Sequence, residues 1–496
     1  MLFNSLNYLV FFPIVVLLYF AIPGKYLKLR NLWLLIASYY FYMNWNAAYA
    51  LLLFGSTFIT YLAGLLIDAA HRKGKPALAK WFLGGSFVLN LGILFFYKYV
   101  NFFVENCNRI LGMTGGQQRL PLFDVLLPVG ISFYIFQALG YTMDVYRGKT
   151  EATRNLFRYM LFVSFFPQLV AGPIERSGNL LGQFDEKHSF DVDRVREGLL
   201  LMLWGLFMKI VIADNVAVYI NAVYGNYMAY TGVEIILATV LFAFQIYCDF
   251  GGYSYLAIGS AKVLGFTLME NFRAPYQAVS VKDFWSRWHI SLTGWFRDYL
   301  YIPLGGNRKG KLRKYINTLI VFFASGMWHG AAWSYIIWGV LNGIYLVLED
   351  ATKGFRNRIK EKLHVDESRF SYRFGCGLVT FVLVDFTWLF FRAEGVGQAF
   401  DIIKQIVVSL QFPQLFGLAV NRMGFSMQQL TALAVAFLIL AVVDVLKNRY
   451  GDVCKIVMKQ GMWFRWLVYL GLLFMIMMYG AYGTDYTQTE FIYFQF

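Results

Sequence analysis

Two histidines occupy positions where proton-transfer chemistry is a reasonable expectation. His329 lies in Phe-Ala-Ser-Gly-Met-Trp-His-Gly, inside a run from Tyr315 to Leu348 that contains no Asp, Glu, Lys or Arg. An ionisable side chain is costly in hydrocarbon, so its presence there is by default a functional hypothesis. His289 lies forty positions earlier, in Asp-Phe-Trp-Ser-Arg-Trp-His-Ile-Ser-Leu-Thr. Because burial lowers the pKa of an imidazole and keeps it neutral, we predict that His329 is a general base and that His289 assists it.

The residues alone leave other roles open for both histidines. His329 could be a core histidine that is hydrogen-bonded between helices, and His289 could be a solvated residue of an interfacial helix. A two-histidine metal site is a third alternative, but neither residue has a cysteine or a carboxylate at ligand spacing. We therefore predict no metal and no bound cofactor.

The composition indicates that the helices positioning these histidines lie in a membrane. Of the 496 residues 58% are hydrophobic and only 15% are charged, whereas soluble domains carry about 25% charged residues. Long apolar runs predict an all-α polytopic protein with about eleven transmembrane helices of roughly 20 residues each. No internal repeat or linker divides the chain, so we predict a single membrane domain over residues 1–496.

The net charge of +15 fits membrane orientation better than nucleic-acid binding. Lysine and arginine cluster in segments that fall on one side if about two spans separate each cluster from the next, as the positive-inside rule requires. We therefore predict a multi-pass protein of the cytoplasmic membrane, with both termini outside. Nucleic acid is not an expected partner.

Three kinds of irregularity interrupt the apolar runs. Residues 164–183 contain Pro167, Gly172 and Pro173, which predict a re-entrant segment, because non-helical backbone at membrane depth must be buried in protein or line a cavity. Residues 282–300 predict an interfacial helix with aromatic side chains at headgroup level on one face. Isolated charges within apolar runs are expected to be mostly interhelical pairs or snorkelling ends; they are Lys98, Asp144, Lys209, Asp214, Asp249, Asp385 and Asp444.

Several segments resemble one enzyme family. They are the two histidine segments, with Tyr-Ile-Pro-Leu-Gly-Gly-Asn-Arg following the first, and Leu-Leu-Pro-Val-Gly-Ile-Ser-Phe-Tyr-Ile-Phe-Gln-Ala, Tyr-Thr-Met-Asp-Val-Tyr-Arg-Gly, Phe-Phe-Pro-Gln-Leu-Val-Ala-Gly-Pro-Ile and Phe-Gln-Ile-Tyr-Cys-Asp-Phe. Together they resemble the membrane-bound O-acyltransferase family, in its bacterial branch for alginate O-acetylation and teichoic-acid D-alanyl transfer. The family's usual Cys-Asp-Phe-Ser-Gly-Tyr-Ser-Asp reads here with Gly251 and Tyr255 in place of a hydroxyl and a carboxylate.

The resemblance implies a ring of helices around a central tunnel, with His329 as the active-site histidine and His289 nearby. It also implies an acyl donor from the cytoplasm, either acetyl-CoA or an acyl carrier protein. The expected acceptor is an extracytoplasmic polysaccharide, reached with a secreted acyl-transfer partner protein, and membrane lipid surrounds the enzyme. D-alanyl transfer to teichoic acid and a non-enzymatic transporter or flippase are the alternatives.

The aromatic C-terminus, Phe491-Ile492-Tyr493-Phe494-Gln495-Phe496, resembles a short terminal motif of the same branch. We predict that the tail folds back and that the Tyr493 hydroxyl transiently accepts the acyl group. An aromatic anchor of the last helix at the membrane interface is the alternative.

Overall fold

The protein is built from helices joined by turns and short irregular segments. The computed structural model describes residues 1–114, 119–170, 172–410, 423–482 and 491, and none of these is in a β-strand. The prediction of an all-α protein is therefore confirmed.

Among the described residues, seven helices are long and apolar enough to cross a membrane. A further apolar helix, Leu6–Ala21, is shorter. The expected number of about eleven spans and the central tunnel remain predictions. The seven candidate spans are Tyr49–Arg72, Pro76–Met113, Val192–Gly225, Gly232–Leu264, Phe370–Arg392, Met427–Tyr450 and Met462–Tyr479.

The chain divides into two compact units. The first comprises Met1–Leu199 and Leu256–Met269, and the second comprises Leu200–Tyr255 and Glu270–Phe496. Both histidines of interest belong to the second unit. The single domain predicted from the sequence remains a prediction.

The first unit packs its helices around the helix Ile131–Tyr146, which is almost entirely buried. A helix that is apolar on every side is expected to be surrounded by others. One contact shows how closely they approach, since a methyl group on Gly64 would lie 2.8 Å from the Tyr141 ring. The α-helices within this unit are Leu6–Ala21, Leu27–Met43, Tyr49–Arg72, Pro76–Leu94, Val100–Met113, Ile131–Tyr146, Leu156–Ser164, Phe166–Leu169 and Ser177–Leu180.

The proline- and glycine-rich segment at 164–183 is interrupted and buried, as its sequence predicts. The helix Leu156–Ser164 stops before a single turn at Phe166–Leu169. The backbone N–H of Phe166, which the break leaves without a helical partner, donates to the Ser38 hydroxyl at 3.1 Å. A side chain therefore satisfies this buried backbone donor. Re-entry of the segment into the membrane remains a prediction.

The second unit contains the remaining helices. Val192–Leu206 and Gly232–Leu264 contribute residues to both units. π-Helical turns at Phe207–Ala213 and Arg297–Tyr301 widen two helices locally. The other α-helices are Asp214–Gly225, Val281–Arg287, Ile290–Phe296, Gly310–His329, Trp333–Ala351, Lys353–Lys362, Phe370–Arg392, Val396–Val408, Met427–Tyr450, Val453–Met458 and Met462–Tyr479.

A buried ion cluster confirms one of the interhelical pairings expected from the sequence. The ammonium group of Lys209, which is fully buried, lies 2.7 Å from an Asp214 oxygen and 2.8 Å from an Asp249 oxygen. Lys209 lies in a π-helical turn, and Asp249 lies on the helix Gly232–Leu264. The ion pair therefore ties two candidate spans together inside the second unit.

Candidate active site

His289 sits at a sharp break between two short helices. The helix Val281–Arg287 ends before it and Ile290–Phe296 begins after it, and His289 itself has a left-handed backbone with φ of 44°. The continuous interfacial helix predicted over 282–300 is therefore wrong. Its aromatic residues do not form a headgroup-level face either, because all of them are buried in protein: Trp285, Trp288, Trp295 and Tyr299.

The orientation of the His289 ring is fixed by Asn271. The Asn271 side-chain oxygen lies 3.1 Å from His289 Nδ1 and also accepts from the backbone N–H of Ser291 at 3.3 Å and from its hydroxyl at 2.8 Å. Because a backbone N–H can only donate, this oxygen is an acceptor, and Nδ1 must carry the ring proton. The Nε2 lone pair of His289 is then presented on the opposite edge of the ring.

Burial keeps His289 neutral. Its side chain is 1% exposed, and the loss of hydration lowers its pKa from 6.5 to about 3. A neutral ring whose Nδ1–H is held by Asn271 can accept a hydrogen bond at Nε2. The geometry therefore fits the assisting role predicted for His289.

His329 is the last residue of the helix Gly310–His329 and is also buried. This helix packs against Trp333–Ala351 through glycines. A methyl group on Gly326 would lie 2.4 Å from the Tyr335 carbonyl oxygen, and one on Gly339 would lie 2.3 Å from the Phe322 carbonyl oxygen. Contact between the two backbones therefore sets the position of His329.

The two histidines, forty residues apart in the chain, lie close together. Their ring centroids are 6.3 Å apart. Aromatic side chains surround the His329 ring, with Trp338 at 4.9 Å and Phe391 at 5.4 Å between centroids. The structure thus brings together two of the three residues predicted from the sequence in an enclosed aromatic setting, which we call the histidine site.

The third predicted residue, Tyr493, lies outside the described residues. Phe491, two positions earlier, is described and fully buried. Its ring centroid lies 4.5 Å from that of Tyr253 and 5.8 Å from that of Phe250, and the Phe250 ring in turn lies 4.7 Å from the His289 ring. The C-terminal chain therefore reaches the aromatic lining of the histidine site at Phe491.

Tyr255, where the family pattern has a carboxylate, belongs to a polar group beside Asn271. The Lys447 ammonium donates to the Tyr255 hydroxyl at 2.5 Å and to the Phe272 carbonyl at 2.8 Å, and it pairs with Glu270 at 2.8 Å. Lys447 therefore contacts both neighbours of Asn271, the side chain of Glu270 and the backbone carbonyl of Phe272. The other departure, Gly251, leaves room for Met208, whose methyl carbon would lie 3.2 Å from an added side-chain carbon.

Sequence reasoning missed the residues that orient His289 and support the aromatic rings near His329. Asn271 lies in an ordinary-looking loop, and its partner Ser254, which accepts from the Asn271 amide at 3.2 Å, lies on a long helix. We call Trp338, Phe391 and Trp285, whose ring packs on Trp338, the aromatic wall. Asn342 supports this wall, because it accepts a hydrogen bond from the Trp285 indole at 3.3 Å and donates one to the Thr387 hydroxyl at 3.1 Å. The only sequence signal for Asn271 was that it is an amide, a side chain that can hold a ring by a hydrogen bond without adding charge. In the described part of the chain, no three His, Cys, Asp or Glu side chains are grouped as metal ligands.

Comparison with known proteins gives one consistent result. The family model of membrane-bound O-acyltransferases matches residues 151–365, which include both histidines. A "probable alginate O-acetylase" of Pseudomonas putida is 39% identical over 442 residues, covering 89% of this chain and 87% of the relative.

Two further relatives differ in their similarity to this chain. A peptidoglycan O-acetyltransferase of Helicobacter pylori is 34% identical, over 82% of this chain and 80% of its own length. A teichoic acid D-alanyltransferase of Bacillus subtilis is 27% identical over 46% of this chain. Because the alginate-type similarity extends over nearly the whole length, this chain belongs to the membrane-bound O-acyltransferase family.

Proposed function

We propose that the protein moves an acetyl group from a cytoplasmic thioester donor across the cytoplasmic membrane for O-acetylation of an extracytoplasmic polysaccharide. The observation that carries the proposal is the enclosed pair of buried histidines, 6.3 Å apart between ring centroids. The similarity of the chain to alginate and peptidoglycan O-acetylating proteins favours acetyl as the group and a polysaccharide as the acceptor. The donor is acetyl-CoA or an acyl carrier protein.

The chemistry assigned to the histidine site is attack by a hydroxyl on the thioester carbonyl. His329 removes the hydroxyl proton as the oxygen–carbon bond forms. The carbon–sulfur bond then breaks. The sulfur takes the proton from His329 and leaves as a thiol. His289, held by Asn271 through Nδ1, accepts a hydrogen bond at Nε2 and orients the attacking group. Exclusion of water by the aromatic wall protects the acyl group from hydrolysis.

The first acceptor in this proposal is the phenol of Tyr493. A phenol ionises more readily than a sugar hydroxyl, so it is easier to deprotonate and is a better leaving group in the next transfer. The position of Phe491 beside Tyr253 supports this assignment, since two residues of extended chain span at most about 7 Å. A secreted partner protein would then remove the acetyl group from Tyr493 and pass it to the polysaccharide.

The proposal is tested with purified protein and acetyl-CoA carrying a label in the acetyl group. We expect labelled acetyl on the intact wild-type chain, mapped by mass spectrometry to the C-terminal peptide. Tyr493→Phe keeps the ring and removes only the hydroxyl, so the label should disappear. Polymer acetylation by Tyr493→Phe at the wild-type rate would remove Tyr493 from the pathway.

Two rival functions predict different outcomes in the same assay. A transporter or flippase would move its substrate without breaking the thioester, so His329→Ala would leave the level of free coenzyme A unchanged. A D-alanyl transferase would take its label from a D-alanyl carrier protein and none from acetyl-CoA. Local similarity to D-alanyltransferases is weaker and covers less of the chain, which is why acetyl transfer is preferred.

A further inference from the structure

A cavity in the second unit lies apart from the histidine site. It has a volume of about 730 Å³ and lies between the helices Gly232–Leu264, Phe370–Arg392 and Met427–Tyr450. All three are candidate membrane spans. Neither His289 nor His329 lines it, and its wall on that side is Tyr276, whose ring packs 6.2 Å from that of Trp288.

The cavity is polar at one end and apolar along its depth. Arg373 lies in the first turn of its helix and Asn448 in the last turn of another, so both mark the same end of the cavity. Phe381 follows Arg373 by eight residues and Phe437 precedes Asn448 by eleven, which places them about 12 and 16 Å deeper at 1.5 Å per residue. At this depth Phe244 contacts both rings, at 6.0 and 5.2 Å between centroids.

The charge at the cavity mouth favours an anion. Arg369 pairs with Asp366, and Arg287 pairs with Asp283. Arg373, by contrast, is exposed and makes no ion pair within the described ranges. The N-terminal end of the helix that begins at Phe370 adds partial positive charge at the same place.

The charge one turn further inside has the opposite sign. The Asp444 carboxylate lines the cavity and accepts a hydrogen bond from the Tyr247 hydroxyl at 2.9 Å. A second anion at that depth would be repelled. The occupant must therefore keep its negative group at the mouth and present an uncharged tail to the interior.

We propose that this cavity binds one phospholipid of the surrounding leaflet, with the phosphate paired to Arg373 and an acyl chain lying along the phenylalanines. The side chains of Phe374 and Leu378 border the cavity and are 60% and 54% exposed, so the lipid enters sideways from the bilayer. A lipid tail is already in an apolar phase, and selectivity must come from the headgroup. On the orientation predicted from Lys and Arg, the mouth faces the cytoplasmic leaflet, which is rich in anionic lipids.

The chain offers a matched pair of variants to test occupancy. Gly377 lines the cavity, and a methyl group there would meet only the Ala278 carbonyl, at 3.6 Å, so Gly377→Leu fills space without a backbone clash. Gly375, on the same helix, does not line the cavity and has open space around it, so Gly375→Leu is the control. Arg373→Gln tests the headgroup contact, and Arg369→Gln is its control.

Each full-length variant is reconstituted in vesicles of phosphatidylcholine with a minor share of phosphatidylglycerol, extracted in mild detergent and measured by native mass spectrometry. We expect wild type and both controls to retain one phosphatidylglycerol, and Gly377→Leu to retain none. Arg373→Gln should keep a lipid but lose about fivefold of its preference for the anionic one, the usual contribution of one basic side chain at an anionic membrane surface. Size-exclusion profiles and thermal unfolding confirm that each variant is folded.

Two outcomes would overturn the proposal. Equal lipid retention in all five proteins would mean that the cavity holds no specific lipid. Displacement of the bound lipid by acetyl-CoA in both wild type and Gly375→Leu would make the cavity part of the donor path. Because the measurement uses no acyl transfer, its result is independent of the function proposed for the histidine site.

Discussion

The second unit buries two polar clusters that are built in opposite ways. Around Lys209, one ammonium group faces two carboxylates at 2.7 and 2.8 Å, so opposite charges satisfy each other. Around His289, the ring is held by an uncharged amide oxygen at 3.1 Å and is kept neutral by burial. The first arrangement holds opposite charges together, whereas the second holds an uncharged ring in one orientation.

This difference predicts that substitutions in the two clusters affect different properties of the protein. Removing one partner of a buried ion pair typically costs about 3–5 kcal/mol, because the other charge is left unpaired in a poor solvent. Removing a neutral imidazole leaves no buried charge, so the fold should tolerate it. We therefore expect substitutions at Lys209 to reduce stability and substitutions at the histidine site to reduce catalysis.

The largest expected effect is on turnover. His329→Gln keeps an uncharged polar side chain but removes the base, and acetyl transfer should fall by about 10²- to 10⁴-fold, the usual contribution of general-base catalysis. His289→Ala should reduce transfer less. Rates are measured by release of free coenzyme A, with thermal unfolding as the check on folding. If His329→Gln retained activity within a few-fold of wild type, His329 could not be the general base.

The next effect is on stability. Lys209→Met leaves Asp214 and Asp249 without their cation, and the variant should lose about 3–5 kcal/mol, seen as poor yield and a lower unfolding temperature in detergent. Adding Asp214→Asn and Asp249→Asn removes the unpaired charges and should recover most of the yield. If Lys209→Met unfolds like wild type but does not transfer acetyl, the cluster belongs to the chemistry after all.

A smaller effect is expected at Asn271. Asn271→Ala removes the acceptor that fixes the His289 tautomer, a hydrogen bond worth about 1 kcal/mol, so kcat should fall several-fold with KM little changed. Asn271→Asp keeps the acceptor and should retain more activity than the alanine variant. Equal losses in the two variants would point to packing and not to ring orientation.

A pH-dependent effect is expected at Glu175 in the first unit, a buried carboxyl that accepts a hydrogen bond from the Asn179 amide at 2.7 Å. Burial raises its pKa from 4.5 to about 7. Its contribution to stability is therefore complete below the unfolded pKa of 4.5 and is lost as the pH rises through 7. Glu175→Gln cannot ionise, so its unfolding temperature should fall less than that of wild type between about pH 5 and about pH 8. Identical slopes in the two proteins would contradict the raised pKa.

Much of this architecture could be predicted from the sequence, since apolar runs and isolated charges carry strong physical signals. Hydrophobic length indicated the helices, and the cost of burying a charge indicated that Lys209 would find partners. The same reasoning identified His329, because an ionisable residue in an apolar run is unusual.

Tertiary contacts determined what the sequence could not show. The aromatic spacing around His289 fits a continuous helix, yet the chain breaks there and buries Trp288 completely. Asn271 is separated from His289 by eighteen residues, and no local pattern links an amide in a loop to a ring at a helix start. Periodicity reports which faces are apolar, but not which of them meet lipid and which meet protein.

The glycine contact between the helices Gly310–His329 and Trp333–Ala351 positions His329 through backbone atoms. Because Gly326 and Gly339 fix the helices through their backbones, His329 should keep its place when neighbouring side chains change. Trp338 and Phe391, which surround the His329 ring, contribute side chains and not backbone to this setting. If the acyl group binds beside His329 as we propose, we expect smaller residues at these two positions to admit longer acyl groups without moving His329.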